Sequence, residues 1–183
     1  MVFNIREKKM KKLLMLVSLL FSVCAFAKYD PLPTAKDVDV ARYMGKWYTI
    51  AALPQFYTRN CKSQTAEYEV IDEKTVSVKN TCYKENGKIK VVTGKGVVQD
   101  APNNARLQIK FNTFWTSIFR IKGEYVIIKL SEGYDVVMVG STDRKSLWIM
   151  SRIPSIDPTT FIEYKEYAHS LGFPTEQLVN AKY

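Results

Sequence analysis

The sequence predicts an all-β protein: an eight-stranded antiparallel up-and-down β-barrel with one C-terminal α-helix packed outside and a short final strand. Three observations carry that prediction. Between residues 45 and 152, short runs of alternating polar and apolar residues recur, each ended by a turn signal. Eight such strands in a meander would expose two edges and an apolar face unless the sheet closed on itself. Only one later stretch, 158–171, changes to helical spacing.

The amino end reads as an address. Arg6, Lys8, Lys9, Lys11 and Lys12 precede an apolar run over 13–23, and Ala25-Phe26-Ala27 is a small-x-small cleavage pattern. This is the pattern of a secretory signal peptide, with an apolar run too short to span a bilayer. Met10 opens a complete signal of its own. Residues 1–27 are expected to be removed, leaving 28–183 as a single barrel domain. The rival outcome is lipid modification of Cys24, which the bulky Val23 before it disfavours. Either route exports the chain, to the periplasm, to the medium or to the outer membrane.

The first strand, 45–52, follows a short helical turn over 40–44 and ends before Pro54. Runs at 65–70 and 75–80 alternate about the turn Asp72-Glu73-Lys74, a register that brings Cys61 and Cys82 close to facing each other. Export places them where disulfides persist, so a structural cystine is expected. The alternative, a reactive thiol, lacks a histidine or other activating neighbour in sequence. Asn86-Gly87 is a hairpin signal leading into 88–99, where Gly94 and Gly96 predict a sharp bend or bulge. Strands at 106–111, 124–130, 134–140 and 146–152 complete the eight. Asp157-Pro158 then caps a helix with proline at its first position, and Phe161, Tyr164, Ala168 and Leu171 form its apolar face. Gly172 and Pro174 stop it, and 178–181 is the last strand.

Composition narrows the function. With 183 residues, 46% hydrophobic and 25% charged, the chain is a globular folder. The formal net charge of +9 falls to +5 without residues 1–27 and is spread along the chain. That excludes a nucleic-acid stripe and leaves a weak attraction to anionic membrane surfaces. The one histidine, His169, sits near the end of the helix, so no His-rich metal site is available. No HExxH, GxSxG, Walker loop or GxGxxG occurs. No cofactor, metal or catalytic set is expected, and the chain reads as a binding protein rather than an enzyme.

Three separated features carry a family likeness. Gly45-Lys46-Trp47-Tyr48 opens the first strand, Thr142-Asp143 lies between the seventh and eighth, and Arg152 ends the eighth. In that order, on eight strands and a helix, they resemble the lipocalins. With Leu147-Trp148-Ile149-Met150-Ser151-Arg152, the likeness is to the bacterial branch related to apolipoprotein D, over roughly 37–180. The resemblance implies that Trp47 plugs the closed end with Arg152 across its ring, and that residues 53–59 lid the open end. It implies a lower-rim contact from Thr142-Asp143, weakened because Arg144 stands where the family has tyrosine. It also implies the ligand, a fatty acid or lysophospholipid. Some lipocalin relatives instead use a reactive cysteine or histidine as enzymes, the least favoured reading here.

Strand parity supplies a candidate lining. If Lys129 and Asp135 face water, Val126, Ile128 and Leu130 turn inward, as do Tyr134, Val136 and Met138. Tyr68 follows by alternation on the second strand, and Trp148 and Met150 share the side of Arg152. Phe56 and Tyr57 in the lid, with Trp115 and Phe119 in the aromatic stretch, are placed at the mouth. Arg59 and Lys62 are placed there to pair with a carboxylate or phosphate head. Such a lining suits an acyl chain, at about 0.8 kcal/mol per buried methylene. Two alternatives stay open. The same side chains also suit a filled core, leaving the loops as a protein-interaction or inhibitor module. The aromatic stretch with Phe114 and Ile118 suits either membrane contact or a minicore. The sequence does not specify an oligomeric state.

Overall fold

The strand order closes a ring. The computed structural model describes residues 29–58, 60–112 and 123–183. Within Pro31–Tyr183, one compact unit, eight strands follow one another around an antiparallel sheet. They are β1 (Gly45–Ala52), β2 (Cys61–Asp72), β3 (Thr75–Lys84), β4 (Ile89–Val98), β5 (Arg106–Phe111), β6 (Gly123–Leu130), β7 (Val136–Gly140) and β8 (Leu147–Ser151). β8 pairs with β1, and β1 pairs with β2 over Gly45–Tyr48, so the barrel is shut. Farther along, β1 gives the same edge to β9 (Val179–Asn180). The C-terminal segment thus fills the gap where β1 and β2 diverge, with Ala181 N donating to Ile50 O and Lys182 N to Lys62 O.

Two apolar layers hold the barrel together. The inner one comes from strands all round the ring, including Trp47, Tyr68, Val78, Ile109, Tyr125, Ile127, Val139 and Met150. The outer one joins Val126, Ile128, Val136, Met138, Leu147 and Ile149 to Tyr164, Ala168 and Phe173. The last three belong to, or follow, α2 (Pro158–Ser170), whose Asp157 carboxylate accepts from Thr160 N. Its end is closed by Gly172 N donating to His169 O and Phe173 N to Ala168 O, with Gly172 at φ +86°. His169 is exposed there.

One local expectation is corrected, and the expected cystine forms. The ladders on both sides of β4 run through Gly94 and Gly96 without a register shift, so neither glycine marks a bulge. Close approach requires them instead. A Cβ at Gly94 would lie 2.5 Å from Lys110 O, and one at Gly96 2.8 Å from Ile109 Cδ1. In the β2–β3 hairpin, Cys82 is registered against Gln64 and Cys61 against Lys84. A bulge between Cys61 and Ser63 distorts the strand there, and the two cysteines, 5.4 Å apart at Cα, form a disulfide.

Candidate ligand-binding lumen

The base of the barrel is a stopper built from a short helix and the two strand ends beside it. Asp39 caps α1 (Val40–Tyr43), which delivers Tyr43 and the carbonyls of Arg42 and Tyr43 beneath β1. Trp47 is fully buried and donates Nε1–H to Tyr43 O at 2.9 Å. The Arg152 guanidinium lies 3.8 Å from the Trp47 ring centroid, a cation–π contact. It donates to four carbonyls, of Tyr134, Lys46, Arg42 and Tyr43. Partial burial lowers the Arg152 pKa, opposed by the nearby Tyr43 and Tyr125.

Beside Trp47, whose ring centroid is 5.2 Å from that of Tyr43, lie three tyrosines from three different elements. The Tyr43 and Tyr125 hydroxyls are 2.6 Å apart, and Tyr125 donates to Tyr68 Oη at 2.9 Å. The rings of Tyr43 and Tyr125 both lie within 6 Å of that of Tyr68, centroid to centroid. Burial pushes all three phenols up, Tyr68 to about 12. They are neutral donors and acceptors at any ordinary pH.

Above the tyrosines the character of the wall changes layer by layer. The register aligns Tyr68, Val78, Gly94 and Phe111 across β2 to β5, then Ala66, Asn80 and Val92, then Gln64, Cys82 and Lys90 nearest the rim. The wall therefore runs from aromatic and aliphatic at the base to polar and cationic at the mouth. Tyr68 and Val78 are buried, whereas Phe111, Asn80, Val92 and Trp148 are only half-buried. In a closed barrel, an inward side chain keeps partial exposure only where it lines accessible space.

The structure sorts the sequence-derived lining residues into four groups. Tyr68, Trp148 and Met150 are on the inner face. Val126, Ile128, Val136 and Met138 are not; they lie in the outer layer beneath α2. The cause is a bulge. The β6–β7 register shifts between Ile127 and Lys129, so Ile128 and Lys129 share the outer side and Val126 follows them. Lys129 does face outward, but onto the helix, paired with Glu163 and set over Tyr164 and Tyr167. The true inner residues are Tyr125, Ile127, Val137 and Val139, with Leu130 packed against them.

Tyr134 belongs to the stopper rather than the cup: it has φ +61°, carries Arg42 4.0 Å over its ring and accepts from Asp39 N. Phe56 and Tyr57 lie in the connection after β1, 80% and 57% exposed. Trp115 and Phe119, with Phe114, Ile118 and Arg59, lie outside the described residues. Lys62 lines a separate cleft of about 470 Å³ beside the rim, with Lys84, Glu85 and Lys182.

Thr142 and Asp143 are also relocated. The β7–β8 turn is at the end opposite Arg152, so these residues make no lower-rim contact. Thr142 pairs with Glu124 and Asp143 accepts from Ser141 Oγ. Of the turns at the Arg152 end, the one between β6 and β7 carries Tyr134, whose carbonyl accepts from Arg152. Arg144, which stands where the family has tyrosine, packs against the end of α2. It is 4% exposed, donates to Leu171 O at 3.0 Å at the end of α2, and lies over Phe173. A cation there complements the helix C-terminus.

Tyr43 and Tyr125 had escaped sequence reasoning. Tyr43 sits in a helical turn with no strand parity, and the bulge hid the inward direction of Tyr125.

A closed cup with a stoppered base, an apolar lower wall and a polar mouth defines a class of small-molecule-binding barrels. The chain belongs to the lipocalin family, since the model of the lipocalin-like domain matches residues 38–182. Its relatives include the outer membrane lipoprotein Blc of Vibrio cholerae, 29% identical over 91% of this chain and 94% of that protein. Apolipoprotein D of Bos taurus is 26% identical over 80% of this chain and 77% of that one. Among solved structures, lobster apocrustacyanin A1 superposes with a TM-score of 0.59 at 16% identity, over 86% of this chain and 92% of that one. That last likeness is one of fold.

Proposed function

We propose that the protein is an exported carrier that reversibly holds a hydrophobic small molecule, a fatty acid or lysophospholipid, in the barrel lumen. The observation that carries this reading is the half-burial of inward-facing Phe111, Val92 and Trp148 in a barrel whose base is fully packed. Binding is driven by burial of the chain, at about 0.8 kcal/mol per methylene, and involves no covalent step. The cationic end of the wall, with Lys90 on the inner face, suits an anionic head left at the mouth. Kinship with proteins named outer membrane lipoprotein supports both export and a lipid ligand. The Cys61–Cys82 disulfide leaves neither sulfur as a thiol nucleophile, which argues against a cysteine-dependent enzyme. Phe56 and Tyr57, exposed beside the open end, are the proposed peripheral contact with a membrane surface.

Tryptophan-fluorescence titration with oleate and with a lysophospholipid tests the carrier reading. A saturable signal near one-to-one is expected, and none with either lipid contradicts it. Intact-mass measurement of protein recovered after export tests the address. Cleavage after Ala27 is expected, and a diacylated Cys24 would place the chain on a membrane anchor instead.

A further inference from the structure

A hydroxyl has one proton, and the tyrosine trio spends its protons in one direction. Tyr125 donates to Tyr68, so Tyr125 has none left for Tyr43, and the 2.6 Å contact between them requires Tyr43 to donate. The chain of donation runs Tyr43 to Tyr125 to Tyr68 and stops. The Tyr68 proton has no acceptor among the described residues, although the side chain is only 5% exposed. A buried donor without an acceptor is disfavoured, and such groups in native proteins are as a rule satisfied by some partner.

The position of this donor says what the partner is. Tyr68 is level with Val78 and Gly94, one step above the buried row of Val76, Gly96 and Ile109 and one step below the half-buried Asn80 and Val92. The guanidinium at the base, Arg152, is stacked on Trp47 and already committed to four carbonyls. A carboxylate at the base would be buried without a counter-ion, whereas a neutral oxygen would not. We infer that Tyr68 is a specificity-determining residue: its hydroxyl donates to a neutral acceptor oxygen, a carbonyl, ester or ether, carried at the leading end of the ligand. This rests on the lumen being the ligand site, and adds that the preferred guest has an oxygen at its buried end as well as any head at the mouth.

The test compares a twelve-carbon methyl ketone with the alkane of the same length, each displacing a fluorescent polyene hydrocarbon from the intact mature protein. Tyr68→Phe keeps the ring and removes the donor. It should lower the ketone-to-alkane affinity ratio about tenfold. Tyr125→Phe disturbs the same network but leaves the Tyr68 proton in place, so the ratio should stay near that of the unmodified protein. An unchanged ratio in Tyr68→Phe, as a resident water satisfying the hydroxyl would produce, overturns the inference. So does an equal fall in both variants, which would make the trio structural only. If the unmodified protein binds none of the three probes, the lumen reading itself fails, and that outcome is distinct from the other two.

Discussion

Strands β6, β7 and β8 bear two apolar faces that the protein uses differently. The outer face, Val126, Ile128, Met138, Leu147 and Ile149 under α2, is aliphatic and sealed. The inner face meets hydroxyls at its base and half-exposed side chains above, including Trp148. The difference teaches that apolarity alone does not identify a ligand wall. A sealed aliphatic layer stabilises the fold, whereas a wall that mixes aromatic, hydroxyl and half-buried groups is suited to receive a guest.

The comparison is tested most severely on the outer face. Ile149→Ala leaves a cavity under the helix and should cost about 2–5 kcal/mol, lowering Tm by roughly 5–15 °C in a melt. Oleate affinity, measured well below that Tm, should be unchanged. A weakened affinity would mean the two faces are not independent. Next in size is the stopper. Arg152→Ala loses the indole contact and its donors to four carbonyls, and should cost about 2–4 kcal/mol by denaturant titration. Arg152→Lys should recover less than half of that, since an ammonium lacks the guanidinium fork.

Why the two faces were confused in the sequence is itself physical. Where only one face of a strand is buried, alternation reveals it. On β2, Glu67 and Glu69 mark the outside, and Tyr68 was assigned inward accordingly. On β6 and β7 the outer face is covered by α2, so both parities are apolar and no contrast remains. The bulge after Ile127 then breaks the parity counted back from Lys129, which does face outward, and the other charged landmark, Asp135, precedes β7. The strands themselves were legible because turns and alternation are local. The cystine and the helix caps were legible for the same reason. The tyrosine trio was not, because it joins side chains far apart in sequence through tertiary contacts alone.

Alkaline pH separates the faces by chemistry. Tyr43, Tyr68 and Tyr125 have folded-state pKa values above the ordinary value of 10.0, because burial disfavours the phenolate. Their contribution to stability is therefore complete below about pH 10 and is lost above it as each phenol ionises, through about pH 12 for Tyr68. Tyrosinate absorbance from these residues should appear only together with unfolding; early, reversible ionisation of all the tyrosines would show that the base is not sealed. A smaller effect on stability is expected from filling the cup. Val92→Trp should weaken oleate binding at least tenfold while changing stability by about 1 kcal/mol or less, since Val92 is half-buried. Least of all, His169→Ala on the exposed side of α2 should stay within about 0.5 kcal/mol in stability and leave binding unaltered.

Methyl-resolved NMR during an oleate titration tests the central claim most directly, because it reads both faces of the same strands at once. Saturable shifts are predicted for Ile127, Val137, Val139 and Val78, with Val126, Ile128, Leu147 and Ile149 nearly still. Shifts confined to the second set, or no saturable shift in either, would contradict a lipid held inside the barrel.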